Sequence, residues 1–174
     1  MDQTKWPARA TLPIAQPGLK FVISAILITG VFFYLGWLVP GCIALTATVF
    51  TTWFFRDPDR SPPGGEQVMV SPADGKVIVI ENLEKCGYME GACIKVSIFM
   101  NVFNVHVNRM PLEGVIEKVS YHPGKFLNAS FDKASEHNER NALVVKTKNG
   151  NRYTVVQIAG LVARRIVNCV NEGE

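Results

Sequence analysis

The side chains best suited to chemistry in this chain are His106, Asp74 and a polar cluster around His137 and Arg140. His106 stands in Phe103-Asn-Val-His-Val-Asn-Arg-Met-Pro-Leu-Glu-Gly114, where apolar and polar residues alternate from Phe103 to Asn108. Alternation predicts a strand that places Asn104, His106 and Asn108 on one face and Phe103, Val105 and Val107 on the other. One face would join a core and the other could form a site. Met110-Pro111 should end that strand, because proline has no N–H for a ladder and restricts the residue before it. An imidazole titrates near neutrality and can take or give a proton. Taken alone, a strand histidine is more often a satisfied polar group than a catalyst.

Asp74 lies in Ser71-Pro-Ala-Asp-Gly75, a turn in which proline fixes one dihedral and glycine frees another. The commoner role for such a residue is in the turn itself. The same position could instead present a fixed carboxylate to a histidine, orienting the ring and stabilising its protonated form. From Tyr121 to Asn141 the strand pattern stops, and His122-Pro-Gly-Lys-Phe126 and Ser135-Glu-His-Asn-Glu-Arg-Asn141 hold two of the three histidines. A solvated loop explains that stretch as well as a site does. In the functional reading His137, Glu139 and Arg140 cap the site entrance, and Arg140 offers a fork for a carboxylate or phosphate oxygen. The histidines lack ligand spacing and have no cysteine near them, so no metal is expected. No phosphate-cradling or dinucleotide glycine pattern is present, and no serine sits in G-x-S-x-G.

The elements that must position these groups begin with an uncharged run. The chain has 174 residues, 48% of them hydrophobic, which suits one core-bearing domain with an appendage and excludes a disordered chain. A formal net charge of +3 without a lysine-rich block argues against nucleic acid and allows weak attraction to anionic lipid. Residues 1–20 carry Lys5, Arg9 and Lys20 with Trp6 and three prolines, a basic irregular flank suited to a headgroup layer. Residues 21–55 have no charge, and are too long for a signal-peptide core. Trp37-Leu38-Val39-Pro40-Gly41 breaks the run into about 16 and about 14 apolar residues, each short of the roughly 20 that an untilted span needs. A membrane-embedded helical hairpin follows, since neither segment offers the polar face of a soluble helix. Basic residues on both flanks place both ends on the cytoplasmic side.

Residues 56–66, rich in turn formers and opposite charges, read as a linker. Residues 67–174 then show short apolar runs at Val68 to Val70, Lys76 to Ile80, Ala92 to Phe99, Val102 to Asn108, Gly114 to Ser120, Ala142 to Thr147 and Arg152 to Val162. That spacing predicts a mainly β, antiparallel domain. Pro72-Ala-Asp-Gly-Lys-Val77 echoes Pro111-Leu-Glu-Gly-Val-Ile116, each opening a strand after a turn. Two such hairpins resemble the halves of barrel-sandwich folds. The four cysteines, Cys42, Cys86, Cys93 and Cys169, form no C-x-x-C pair and read as reduced thiols. A Cys86 to Cys93 disulfide is the alternative, and it would call for an oxidising compartment.

Phe54-Phe55-Arg56-Asp57-Pro58, Ser71-Pro-Ala-Asp-Gly75, Asn104-Val-His-Val-Asn-Arg-Met-Pro111, His122-Pro-Gly124 and His137-Asn-Glu-Arg140, in this order, resemble the short bacterial form of phosphatidylserine decarboxylase. The resemblance covers nearly the whole chain, hairpin included. It implies a proenzyme that cuts itself at a glycine-serine bond, leaving a β chain and a short α chain that begins with a pyruvoyl group. That cofactor would form a Schiff base with the headgroup amine of phosphatidylserine and take up electrons as carbon dioxide leaves, giving phosphatidylethanolamine. The resemblance matches the family's aspartate to Asp74, a member of the relay for self-cleavage; His106 is the candidate acid that reprotonates the carbon because its imidazole titrates near neutrality, and Asn108, His137 and Arg140 are the candidates for substrate binding. Larger family members carry a second histidine where this chain has Arg109, which leaves the base for self-cleavage open.

No serine in the chain follows a glycine, and the sequence stops at Glu174. As given it reads as the β-chain portion, with the pyruvoyl-forming serine and the α chain as the parts it would need. A lipoyl-like carrier module and an inactive β-chain fragment are the competing readings, although neither Gly75-Lys76 nor Gly124-Lys125 has the flanks of a carrier lysine. Acyl-chain preference, a different lipid backbone under the same serine headgroup, and assembly into a homo-oligomer are left open.

Overall fold

A computed structural model describes residues 12–61, 68–127 and 137–174. Lys5, Trp6 and Arg9 of the basic flank, residues 62–66 of the linker, and Ser135 and Glu136 of the polar cluster lie outside the described residues. Two helices come first, α1 (Gln16–Tyr34) and α2 (Leu38–Phe54). Pro17 sits in the first turn of α1, where its missing N–H costs nothing. The hairpin turns at Leu35 to Trp37, earlier than the expected break, with Gly36 at φ 71. Pro40 falls instead in the first turn of α2, where the helix tolerates it.

The helices pack through small residues and one polar pair. Thr29 and Thr48 share a buried hydrogen bond of 2.9 Å, and Gly41 lies so close to the Phe33 ring that a Cβ would reach 2.8 Å from it. Their outer faces stay apolar, with Ile26, Leu27, Val39, Ile43 and Val49 all exposed. The 19 residues of α1 make it long and apolar enough to cross a membrane. At the base, Ala15 N donates to Phe55 O at 2.8 Å and Asp57 N donates to Pro13 O at 2.7 Å, tying the two ends together.

Among the described residues five strands follow in two antiparallel sheets. One pairs β1 (Lys76–Leu83) with β2 (Cys93–Phe99), and the other has the order β3 (Gly114–His122), β4 (Arg140–Thr147), β5 (Arg152–Ile158). The mainly β, antiparallel expectation is met. The sequence echo is structural as well: Gly75 and Gly114 each open a strand where a Cβ would lie 2.5 Å from a carbonyl oxygen of the partner strand, Phe99 O and Lys146 O. Both hairpins also shift register just after those glycines, between Val77 and Val79 and between Ile116 and Lys118. Such bulges bend a strand and raise its twist.

The two sheets differ in burial. Ile116, Leu143, Val145, Tyr153 and Val155 form a core on the three-stranded sheet, covered by Met110, Leu112, Val119 and Val170. Among the described residues the β1–β2 ribbon has no such cover, and Val77, Ile78, Val79, Ile80, Ile94 and Val96 are exposed. A cleft of about 3750 Å³ opens along these faces, many times the volume of a small-ligand pocket.

Three expected strands are corrected. Val68 to Val70 forms none; Val70 N instead donates to Pro111 O at 2.9 Å. Val102 to Asn108 is irregular, because the amide side chains capture backbone that a ladder would use: Asn104 Oδ1 accepts from Asn101 N at 2.8 Å, and Asn101 Oδ1 from Phe103 N at 2.9 Å. The last strand stops at Ile158, since Gly160 N turns back to Ala163 O at 2.9 Å. The reduced reading of Cys86 and Cys93 is also corrected. The turn closed by Cys86 N to Gly91 O brings the two Cα atoms to 5.9 Å, and a disulfide joins them, leaving Cys42 and Cys169 free.

Candidate active site

His106 sits on the irregular segment between β2 and β3. Of the three apolar residues expected to share a core face, only Val105 is fully buried, at 2% exposure, while Phe103 is 65% exposed. Val105 therefore pins the segment, and the polar side chains extend from it. The imidazole Nδ1 lies 3.0 Å from Asn104 O. A carbonyl only accepts, so Nδ1 carries the proton and the lone pair is on Nε2. The ring stacks on Phe54, the last residue of α2, with centroids 4.3 Å apart and planes 26° from parallel. Burial pushes the His106 pKa below its ordinary value against the opposing hydrogen bond to Asn104, and the Arg56 charge adds to the depression. At neutral pH the ring is mainly a base.

Asn108 lies two residues on, and its Oδ1 is buried with no hydrogen-bond partner among the described residues. A buried acceptor left open is costly, and in a site it marks where a donor is to be received. Arg109 N donates to Pro72 O at 2.9 Å and Val70 N to Pro111 O at 2.9 Å, which lays the stretch that leads into the Asp74 turn alongside the segment that leaves His106. Gly75 is required there, because its backbone passes close against Phe99 O. The Asp74 carboxylate is held by Arg60 at 2.6 Å, whereas His106 is held by Asn104 and Phe54.

The polar cluster is placed elsewhere on the sheet. Arg140 opens β4 opposite His122, and its Nε donates to Tyr88 Oη at 3.2 Å. Glu139 is buried and accepts from Ile166 N at 3.0 Å, so it fastens the C-terminal segment. Asn138 is fully buried and bonds Leu127 and Ala159 through its amide. His137 is exposed. Sequence reasoning missed Phe54, Arg56 and Asp57 as partners of the His106 segment. Their signal was present: a charged motif that follows an apolar helix without a break.

The family model described as Phosphatidylserine decarboxylase matches residues 47–174. The chain belongs to this family. A phosphatidylserine decarboxylase proenzyme of Syntrophus aciditrophicus is 54% identical over 162 residues, covering 91% of this chain and 75% of its own length. The proteins of that name from Desulfotalea psychrophila and Solidesulfovibrio magneticus are 46% and 49% identical, covering 90% and 92% of this chain and 73% and 75% of their own. The family is one of carboxy-lyases, and the matched span carries both the end of α2 and the whole β-domain.

Proposed function

We propose that this chain is the β-chain part of a membrane-anchored decarboxylase that removes the serine carboxylate of phosphatidylserine and leaves phosphatidylethanolamine. The observation that carries the reading is the pair His106 and Asn108 on one segment at the foot of an apolar hairpin: an imidazole whose Nδ1 faces Asn104 O, leaving the lone pair on Nε2, and, two residues on, a buried amide oxygen with no hydrogen-bond partner among the described residues. The substrate is a lipid, and residues 21–55 bring the site to it. Lys20, Arg56 and Arg60 flank the hairpin on the same end, which favours the cytoplasmic face for the β-domain; in that reducing compartment the Cys86–Cys93 disulfide would open to two thiols across its turn.

The relatives are named proenzymes, which supports an α chain from the same precursor as partner. The exposed apolar face of β1 and β2 fits such a segment: each large aliphatic side chain gains about 1.5–3 kcal/mol on burial, so leaving the face open is unfavourable. The residues fit the amine that the family's pyruvoyl group would take up, because Asn108 Oδ1 can receive an N–H of the headgroup amine and His106 Nε2 can carry a proton. That group supplies a ketone which takes up the headgroup amine and withdraws the electron pair left when carbon dioxide departs. His106 would take a proton from solvent at Nε2 and deliver it to the carbon that lost its carboxylate as carbon dioxide, which supplies the one proton the reaction consumes. Asn108 would orient the amine. Asp74, steadied by Arg60, is assigned to the relay for self-cleavage. His137 and Arg140 are assigned to the substrate's charged oxygens, with the Arg140 guanidinium held by its bond to Tyr88 Oη.

The test uses the full-length, matured enzyme. His106→Ala should still yield two chains by intact mass and should lose carbon dioxide release from phosphatidylserine. Wild-type turnover in that variant would remove His106 from the chemistry. Replacing the downstream serine should leave one uncut polypeptide, and undiminished decarboxylation by it would end the pyruvoyl reading.

A further inference from the structure

His106 is not held by a sheet. Its segment makes no ladder hydrogen bonds among the described residues, so its aim must come from what it packs against. Much of that support is the end of the hairpin. The Phe54 ring covers the imidazole at 4.3 Å. Arg56, stacked over Trp53 at 4.5 Å, donates from Nη2 to Phe103 O at 2.7 Å. Asp57 receives Arg109 at 2.5 Å, beyond the histidine on the same segment. These three residues are almost consecutive, and the first of them is the last residue of α2. The segment is thus gripped before, at and after His106 by one continuous piece of chain.

We propose that the last turn of α2 and the residues that follow it form a wall of the catalytic site, with Phe54 as the positioning residue that fixes the plane of the His106 ring. The hairpin then does more than tether the enzyme to lipid, since displacing its end displaces the proton carrier. This rests on the reading of His106 as that carrier. A flat apolar ring against the imidazole also keeps water from one face, which accounts for the burial that disfavours the charged form. The charged groups around the ring act as a set: Arg56 from the helix end disfavours a second positive charge, while Asp57 and Arg109 neutralise each other.

A tether and a wall are told apart with substrate that needs no bilayer. Full-length matured enzyme in detergent micelles is assayed on short-chain phosphatidylserine dispersed in the same detergent. Phe54→Ala should lower kcat about tenfold to a hundredfold through misplacement of the ring, with KM held within about twofold because the substrate contacts are intact. Phe54→Tyr should restore most of the rate. Val49→Ala, exposed on the same helix, should behave as wild type. In labelled protein, the His106 imidazole titration followed by NMR should move up towards its ordinary value in Phe54→Ala. If that variant does not fold, Phe54→Leu keeps apolar bulk without the flat face, and the same split of kcat from KM is read.

A wild-type kcat and an unmoved His106 titration in the folded variant, with His106→Ala inactive, overturn the wall. Loss confined to bilayer substrate, with full rates on dispersed lipid, also overturns it and leaves only a tether. An active His106→Ala enzyme instead defeats the underlying assignment of the proton carrier.

Discussion

Arg109 Nη2 donates to Asp57 Oδ1 at 2.5 Å and to Pro58 O at 2.7 Å, and its backbone N–H donates to Pro72 O at 2.9 Å. One arginine therefore joins the segment after the hairpin, the turn before Asp74 and the segment that carries His106. Its side chain is 23% exposed and that of Asp57 10%, so this is the most enclosed of the ion pairs among the described residues. Arg109 serves here as a structural fork.

Arg109→Ala should lower stability by about 1.5–3 kcal/mol, the range for a hydrogen bond to a charged partner left unsatisfied on burial. Arg109→Lys should recover less than half, because an ammonium does not reproduce the fork that reaches carboxylate and carbonyl together. Chemical denaturation of Arg109→Ala, Asp57→Ala and the double variant checks this. Strictly additive losses would show that the pair is not coupled.

Much of this arrangement was legible in the sequence, and the exceptions have physical causes. The charge-free run from Phe21 to Phe55 reads as a hairpin because nothing in it could face water, and the strands of both ribbons read from short β-rich runs between turn formers. The strand expected at Phe103 to Asn108 failed because Asn101 and Asn104 turn the backbone with their side chains, a local competition that alternation alone does not reveal. His106 and Asp74 were identifiable as reactive types, but their partners are Phe54 and Arg60, from segments that no periodicity links to them. The register shift shared by the two ribbons follows the glycine echo, so that six-residue pattern carried more geometry than its length suggested.

Gly75→Ala should destabilise the β1–β2 ribbon and disturb the Asp74 turn. The added Cβ would lie 2.5 Å from Phe99 O, a backbone atom that cannot swing aside. Relief requires the two strands to separate, at about 1–3 kcal/mol by analogy with overpacked cores. Thermal unfolding of the variant, with amide exchange along Lys76–Leu83, measures both effects, and unchanged protection there would contradict the close approach.

The polar pair between the helices should contribute little energy but fix their register. Thr48→Val removes the 2.9 Å bond to Thr29 while keeping the shape. In detergent or bilayer it should cost about 0.6 kcal/mol, as single interhelical hydrogen bonds do. Steric trapping or urea unfolding in micelles can resolve that, and a loss several times larger would mean that the pair holds the hairpin together.

Tyr153 gives an alkaline signature. It is 8% exposed, its hydroxyl donates to Leu112 O at 2.5 Å, and burial raises its pKa to about 12 from 10.0. The unfolded chain ionises first on raising the pH, so between these values the folded state holds more protons and stability falls as pH rises. The contribution is complete below pH 10.0 and gone above about 12. Tyr153→Phe should lose the hydrogen bond, about 1 kcal/mol, and flatten the stability profile across that interval. An equally steep profile in the variant would assign the slope to other groups.

His106 should leave the opposite mark on the acid side. Burial holds its folded pKa below the ordinary 6.5, so in the window between the two values the unfolded chain binds more protons than the folded one. Its contribution to stability is therefore full above pH 6.5 and is lost as pH falls through the lower, folded value. Urea midpoints from about pH 5 to pH 8, compared between wild type and His106→Gln, isolate this group from the carboxylates that titrate lower. The wild-type curve should fall more steeply than the variant below neutrality. Parallel curves would mean that the ring charges as easily when folded as in water, and the Phe54 stack would then not be excluding solvent from it.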